Sequence, residues 1–254
     1  MNGKRGMRER LIMLLADEKE DFPFLETNAA HPDLDRTGGA TRILSGSRRR
    51  LGLGEFLLLG DGEVFRRNLA EAARLRLGLV RRHKAGGPID NSYVSILLYK
   101  NAFDALASGD AQLARELCEV LGGRPEIERE HDHPFDLALG YALKHSVLGD
   151  VDEVGRTATI LAGLCRVREN ADFRGYAQAF EALCTGDQGQ IDTAFPAIVK
   201  GHRRQSKGNG VFAGTIDELL CIWGIGLANL CVHRGMRVEI DDPLMPPELI
   251  VGLR

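Results

Sequence analysis

Apolar residues recur at intervals of three and four along most of this chain, which is the spacing of one face of an α-helix. The clearest case is 216–234, where seven apolar positions follow the i, i+3, i+4, i+7 pattern. Thr215 followed by Glu218 predicts a capping box at its start, and Gly235 after two basic residues predicts its end. The number of apolar positions predicts that this helix is buried on most sides.

The same spacing predicts helices over most of the remaining chain. The segment 22–48, which contains Pro23 and a Gly-Gly pair, predicts irregular structure, and the tail from Met236 predicts an extended chain with one helical turn at Pro247. No stretch alternates with period two for long enough to build a sheet, so the fold class is all-α, with about nine to eleven helices. The other predicted helices are 7–16, 50–59, 62–83, 92–108, 111–121, 134–148, 151–168, 172–184 and 188–204.

A Gly-Asp dipeptide recurs three times, each time after the same pattern of apolar residues. The three glycines are 40 and 37 residues apart, and a weaker fourth copy ends at Gly60-Asp61. Glycine suits the left-handed C-cap of one helix and aspartate the N-cap of the next, so each copy predicts an antiparallel helical hairpin. The three copies are Tyr99–Asp110, Leu139–Asp150 and Tyr176–Asp187.

Hairpins of about 35–40 residues stack into solenoids. Over 92–204 they resemble the tetratricopeptide-repeat type, although the Trp, Leu-Gly, Tyr and closing Pro of that consensus are absent. The alternative is an irregular helical bundle whose loops reuse Gly-Asp caps. In either case we expect residues 1–50 to form an N-terminal helix and irregular segment packed on a single all-helical domain, 51–254.

Composition excludes several classes of protein. The chain has 254 residues, 44% of them hydrophobic and 27% charged, with a net charge of −3. These values are typical of a globular protein, whereas a dedicated nucleic-acid binder would be basic. The chain has no apolar run of about 18 residues, and its basic N-terminus turns acidic at Asp17, too soon for a secretory signal. We therefore expect a cytoplasmic protein that binds neither nucleic acid nor a membrane.

The sequence contains no motif of a known catalytic or cofactor-binding type, so neither catalytic residues nor a cofactor is predicted. Five cysteines lie among apolar residues at helical spacing and predict core packing instead of disulfides or zinc ligation. The run 128–133 alone clusters carboxylates with imidazoles, and we interpret it as an acidic loop leading to Pro134 at the start of a helix. A metal-dependent enzyme that uses this loop is one hypothesis.

Charged clusters of both signs are more typical of a surface that attracts a protein partner electrostatically than of a catalytic cleft. The acidic loop 126–133 and the basic stretch 200–209 at the end of a predicted helix therefore form the expected interface. Its candidate residues are Glu128, Glu130, His131, Asp132, Arg203, Arg204 and Lys207.

The C-terminal third resembles a known protein family. Asp217–Leu230 runs into Arg234-Gly235-Met236, followed by Val238–Pro243 and Pro246–Ile250. A long apolar helix ending in Arg-Gly, an acidic Asp-Pro linker and a Pro-rich turn are similar to the immunity protein 49 family, whose helical body the hairpins also resemble. Those bacterial proteins are encoded beside polymorphic toxins and are thought to neutralise them. The resemblance implies stoichiometric binding of a cognate toxin, without catalytic residues.

A second hypothesis is an adaptor that reads a peptide or recruits a regulatory partner through tetratricopeptide-like hairpins. It predicts a concave groove lined by exposed side chains of the first helix of each hairpin, namely Asn101, Asp104, Lys144 and Gln178. The sequence leaves the oligomeric state open, a homodimer included.

Overall fold

The computed structural model describes the backbone of residues 2–253 and the side chains of residue 6 and residues 8–253. These residues form eleven α-helices and several 3₁₀ turns, with no strand, as the periodicity predicted. They divide into two compact units, of which the first ends at Val94 and the second begins at Ser95. None of the described helices is both long and apolar enough to cross a membrane.

Three long helices form the first unit: α1 (Asn2–Ala30), α2 (Gly39–Leu59) and α3 (Gly62–Lys84). The irregular segment predicted over 22–48 is wrong, because only 31–38 lies outside a helix. Pro23 sits inside α1, where it removes a backbone donor at a cost of about 3 kcal/mol. Packing against α2 outweighs that local preference. The boundary expected near residue 50 falls in the middle of α2.

A buried carboxylate closes the turn between α1 and α2. Asp35 is 1% exposed and accepts hydrogen bonds from the Thr41 amide (2.8 Å) and hydroxyl (2.5 Å). The Arg82 guanidinium forms an ion pair with the same carboxylate. Burial raises the pKa of Asp35, but the bonds from Thr41 and Arg82 outweigh burial and hold that pKa below its ordinary value. The turn is thus fixed to α2 and α3.

Two glycines let the helices of the first unit approach one another. A Cβ atom at Gly52 would lie 2.8 Å from the Cβ of Asn68 on α3, and one at Gly54 would lie 2.7 Å from a methyl carbon of Leu15 on α1. Gly52 and Gly54 therefore leave α2 without a side chain at its close contacts with α3 and with α1.

The second unit contains the three predicted hairpins. They are α4 (Tyr99–Ser108) with α5 (Ala111–Val120), α7 (Pro134–Leu148) with α8 (Val151–Leu164), and α9 (Arg174–Thr185) with α10 (Gln188–Gln205). A short helix, α6 (Pro125–His131), lies between the first two hairpins.

Each Gly-Asp dipeptide has the predicted conformation. Gly109, Gly149 and Gly186 end their helices in the left-handed region, with φ of 81°, 82° and 71°. Each following aspartate accepts a hydrogen bond from the backbone amide three residues on, at 2.9, 3.3 and 3.1 Å. The fourth copy is confirmed as well, because Gly60 ends α2 and Asp61 caps α3.

The helix predicted over 216–234 is interrupted. A 3₁₀ turn covers Ile216–Leu219, and α11 runs only over Ile222–His233, because the Cys221 amide instead donates to the Leu244 carbonyl (2.8 Å). The predicted capping box is also wrong: Thr215 makes no side-chain cap. Burial on most sides is confirmed, since every residue from Ile222 to Cys231 is buried.

Two further outcomes concern turns, one of them a difference and the other a confirmation. The segment predicted as one helix over 92–108 begins with 3₁₀ turns at Asn91–Tyr93 and Ile96–Leu98 and becomes α-helical only at α4. The helical turn expected at Pro247 is present as Pro247–Leu249, at the end of an otherwise non-helical tail.

Candidate functional site

The first predicted interface segment is mostly helical and not a loop. Pro125 occupies the first turn of α6, Glu126 and Glu128 lie in that turn, and the helix ends at His131. Prolines and carboxylates suit a helix N-terminus because of its unpaired amides and positive dipole end. Pro134 starts α7 as predicted, with the ring of His133 accepting a bond from the Phe135 amide at 3.2 Å.

Glu128 is an internal hydrogen-bond acceptor. Its Oε1 accepts from the Tyr141 hydroxyl (2.8 Å) and from the Arg124 amide (3.1 Å), while the Tyr141 oxygen accepts from the Gly123 amide (2.9 Å). Burial raises the pKa of Tyr141, and the neighbouring Glu128 raises it further. Glu128 therefore fixes the turn before α6 to α7, which is a role in the fold.

Asp132 also makes contacts inside the unit. Its Oδ2 accepts a 2.9 Å hydrogen bond from the Ile96 amide, so it links the α6–α7 connection to the 3₁₀ turn before α4. Burial raises the pKa of Asp132, and the carboxylates of Glu128 and Asp136 add to the increase. Asp136 in turn accepts from the Tyr99 hydroxyl at 2.9 Å.

The exposed part of this segment is smaller than the sequence suggested. Glu130 has a side chain 69% exposed, and its carboxylate lies 3.7 Å from the ring of His131. Glu126 and Arg129 are exposed on the same short helix. These four side chains form what we call the α6 edge, the part of the predicted acidic region that a partner can reach.

The basic stretch at the end of α10 likewise contains residues that bind other segments of the unit and residues that are exposed. Arg203 pairs with Asp242 (2.8 Å) and Arg204 with Asp172 (3.0 Å), so both arginines bind other segments of the same unit. Lys207 is exposed beyond the end of the helix. Three of the seven predicted interface residues, Glu130, His131 and Lys207, are thus exposed. Among the described residues, their side chains do not connect separate segments of the unit.

The sequence did not indicate that His202, the histidine of α10, is buried. The ring is 3% exposed, stacks on Phe212 at 4.3 Å between centroids, and places Nε2 2.8 Å from the Asp217 carbonyl oxygen. Because Nε2–H donates to that carbonyl, the neutral ring leaves Nδ1 as a buried nitrogen with no hydrogen-bond partner among the described residues. Burial lowers the pKa of His202, against the opposing effect of Asp217.

An aromatic cluster around Trp223 fills the space that an adaptor would need. The indole lies 5.4 Å from Tyr99 and stacks on Phe103 at 5.7 Å, both in α4, and lies 6.3 Å from Tyr176 in α9. The space between the first helices of the first and third hairpins is therefore occupied by α11.

The side chains predicted to line an adaptor groove are accordingly not all exposed. Asp104 is 1% exposed, and the Lys144 ammonium donates to the Leu121 carbonyl at 2.7 Å. Asn101 and Gln178 are half-buried. A concave groove of four exposed polar side chains is therefore absent from the described residues, because α11 packs closely on α4 and also contacts α9 and α10.

The cysteines are all free thiols, and four of the five are buried. Burial raises the pKa of Cys118, Cys221 and Cys231 to about 12 and that of Cys165 to about 11. Thiols held this far from ionisation are poor nucleophiles and metal ligands at neutral pH. Among the described residues no group of three or more His, Cys, Asp or Glu side chains is placed to hold a metal ion.

Comparisons of the chain with family models, with curated proteins and with solved structures found no match. The site is therefore interpreted from its own geometry.

Proposed function

We propose that this chain binds a bacterial toxin stoichiometrically and neutralises it in the cytoplasm, as an immunity protein. The proposal starts from the resemblance of residues 217–250 to the immunity protein 49 family. A neutralising partner needs no chemistry of its own, since it has only to cover the active site of the toxin or the path to it.

One observation favours surface-to-surface binding over recognition of an extended peptide. The first helices of the first and third hairpins, where an adaptor would bind, are contacted by α11 and by the aromatic cluster around Trp223. What remains for a macromolecule is the outer, charged surface. Stable interfaces of this kind bury about 1,200–2,000 Å² in total and place charged residues at the rim.

The charge of the second unit supports an attraction to a basic surface. Residues 95–254 contain 16 Lys and Arg against 23 Asp and Glu, a net charge of −7, whereas residues 1–94 contain 17 against 13, a net charge of +4. Charge of this sign accelerates association with a basic partner and selects against acidic ones. The α6 edge adds exposed carboxylates at Glu126 and Glu130 to this acidic unit.

The test is coexpression with the product of an adjacent toxin gene, followed by size-exclusion chromatography with light scattering. We expect growth to be protected and a complex of fixed stoichiometry to be isolated, and the same measurement gives the oligomeric state of the free chain. Toxicity that persists despite full expression, together with the absence of a complex, would contradict the proposal.

A pair of variants tests the α6 edge separately. Glu126→Lys combined with Glu130→Lys should slow association by about tenfold, because rim charges act mainly on the association rate. Asp152→Lys combined with Glu181→Lys makes the same change of charge at exposed positions of α8 and α9 and serves as the control. Equal association rates for the two double variants would place the interface elsewhere and leave neutralisation itself unaffected.

A further inference from the structure

An open groove of about 250 Å³ lies between the three helices of the first unit. Apolar and polar side chains both line it. They are Lys19, Phe22, Pro23, Arg48, Leu51, Glu55, Arg67 and Asn68, so that three cations, one carboxylate and one amide surround the apolar residues. Ligand pockets for drug-sized molecules are commonly 300–1,000 Å³, so this volume suits one or two protruding side chains better than a whole small molecule.

The cations at the rim differ in what they contact. Lys19 pairs with Glu55 (2.8 Å), and Arg48 pairs with Glu26 (2.8 Å) while covering the ring of Phe22 at 4.2 Å. Arg67 is exposed at the start of α3 and extends into the rim without such a neighbour in the described contacts. Arginine at the edge of an apolar depression is a residue type over-represented among binding hot spots.

Pro23 contributes an exposed apolar ring to the groove. The proline lacks the amide that would donate to the Lys19 carbonyl, at a cost of about 3 kcal/mol to the helix, and packing of α1 on α2 outweighs that cost. The ring is therefore available to an apolar side chain of a ligand.

We propose that this groove docks an acidic segment of a protein partner, in which a carboxylate pairs with Arg67 and an adjacent apolar side chain lies on Pro23 and Leu51. This goes beyond the proposed function, because it does not depend on the partner being a toxin. The three cations that line the groove outnumber its one carboxylate, Glu55, and the net charge of residues 1–94 is +4, so the groove favours an acidic ligand.

A protein segment fits better than a nucleic acid. Single-stranded nucleic acids need aromatic faces on which bases stack, and the ring of Phe22 is covered by Arg48. Pro23 and Leu51 offer an apolar surface that suits an aliphatic side chain next to a carboxylate.

The test uses the full chain and defined probes. A fluorescent helical peptide of about 14 residues, with leucines on one face flanked by glutamates, is titrated at low salt and followed by anisotropy. The comparison probes are the same peptide with lysine in place of glutamate and a single-stranded oligonucleotide. We expect saturable binding of the acidic peptide alone, with chemical-shift changes at Phe22 and Leu51.

Arg67→Glu should weaken that binding by about tenfold, since it replaces the pairing cation by a repelling charge. Arg74→Glu lies on the same helix outside the groove, changes the charge equally and should have less than about a twofold effect. Circular dichroism establishes that both variants are folded.

Three results would overturn the proposal. The first is an equal loss of binding in the two variants, which would indicate attraction by net charge. The second is tighter binding of the oligonucleotide than of the acidic peptide. The third is binding of neither, together with a concentration-dependent dimer that Arg67→Glu abolishes, which would assign the groove to a second copy of the chain.

Discussion

The side-chain oxygen of Asn229, in the middle of α11, accepts a 2.8 Å hydrogen bond from the backbone amide of Val251. The same oxygen accepts from Gly252 (3.1 Å), and the amide nitrogen donates to the carbonyls of Leu106 (3.0 Å) and Leu249 (3.2 Å). Asn229 is completely buried. One side chain thus fastens the C-terminal tail and the end of α4 to α11.

Asn229→Ala should therefore be strongly destabilising. It removes the partner of the Val251 and Gly252 amides and of the Leu249 carbonyl, whereas the Leu106 carbonyl still accepts from the Gly109 amide (3.0 Å), and each buried group that loses its partner costs about 1–3 kcal/mol. Partial access of water reduces the sum, and we expect the free energy of unfolding to fall by about 3 kcal/mol. Urea denaturation monitored by the fluorescence of Trp223 measures the loss. Asn209→Ala, at an exposed loop position, should change stability by less than about 0.5 kcal/mol.

Two glycine-to-alanine variants should have opposite effects. A Cβ at Gly201 in α10 would lie 1.8 Å from the Asp172 carbonyl oxygen, so Gly201→Ala must displace backbone. We expect a loss of about 3 kcal/mol, at the upper end of the cost of overpacking. Gly163 in α8 has no atom within 4 Å of that position, and its alanine variant should gain up to about 1 kcal/mol from helix propensity. Thermal unfolding of the pair compares them, and similar melting temperatures would contradict the close approach.

Asp35 should make the first unit sensitive to acid. The pKa of Asp35 is lowered in the folded state, so its contribution is present above the pKa of the unfolded chain, about 3.9. That contribution should be lost as the pH falls through about 4 towards the folded value. Asp35→Asn removes this dependence and should lower stability at neutral pH. Denaturation curves at several pH values between about 3 and 7 measure the difference, and parallel profiles for the two proteins would refute it.

His202 should give a second dependence at higher pH. Its pKa is lowered by burial, so the unfolded chain takes up a proton more readily than the folded one. Stability should be complete above the unfolded pKa of about 6.5 and should fall as the pH drops from there towards the folded pKa. His202→Gln keeps an N–H donor for the Asp217 carbonyl but does not titrate, so stability should depend less on pH in this range than in the wild type; burial lowers the pKa of His145 as well, and its contribution remains in both proteins.

Trp223 provides the readout for His202, because its indole lies 5.2 Å from Phe212, on which His202 stacks. His233→Gln, at an exposed position, is the matched control and should keep the wild-type profile. An unchanged profile in His202→Gln would show that the buried ring does not control stability in this range.

The elements predicted correctly are those whose causes are local. A Gly-Asp junction needs only the residues within one turn on either side, so Gly109-Asp110 and its three counterparts could be located from the sequence. The interruption of the last helix could not, because it depends on the Leu244 carbonyl, which lies 23 residues after the Cys221 amide that it binds. In 22–48, Pro23 and the Gly-Gly pair locally favour irregular structure, but the packing of α1 on α2 keeps both helices intact.

The candidate site could also be predicted only as far as its causes are local. The sequence indicated a cluster of charge at 128–133, but it could not indicate that Tyr141 and Ile96 bind Glu128 and Asp132 over distances of 13 and 36 residues. Only the residues left over from these contacts are available to a partner. The groove of the first unit could not be predicted from the sequence for a similar reason, since its lining residues come from three separate helices.

The position of α11 has a consequence for biosynthesis. Asn229 binds the carbonyl of Leu106, 123 residues earlier in the chain, and α11 covers the face of α4. During translation α4 therefore leaves the ribosome more than a hundred residues before α11, and its apolar face stays uncovered until α11 has been made. The core of the second unit is completed only once α11 is present, so the nascent hairpins expose an apolar surface of the kind that favours aggregation.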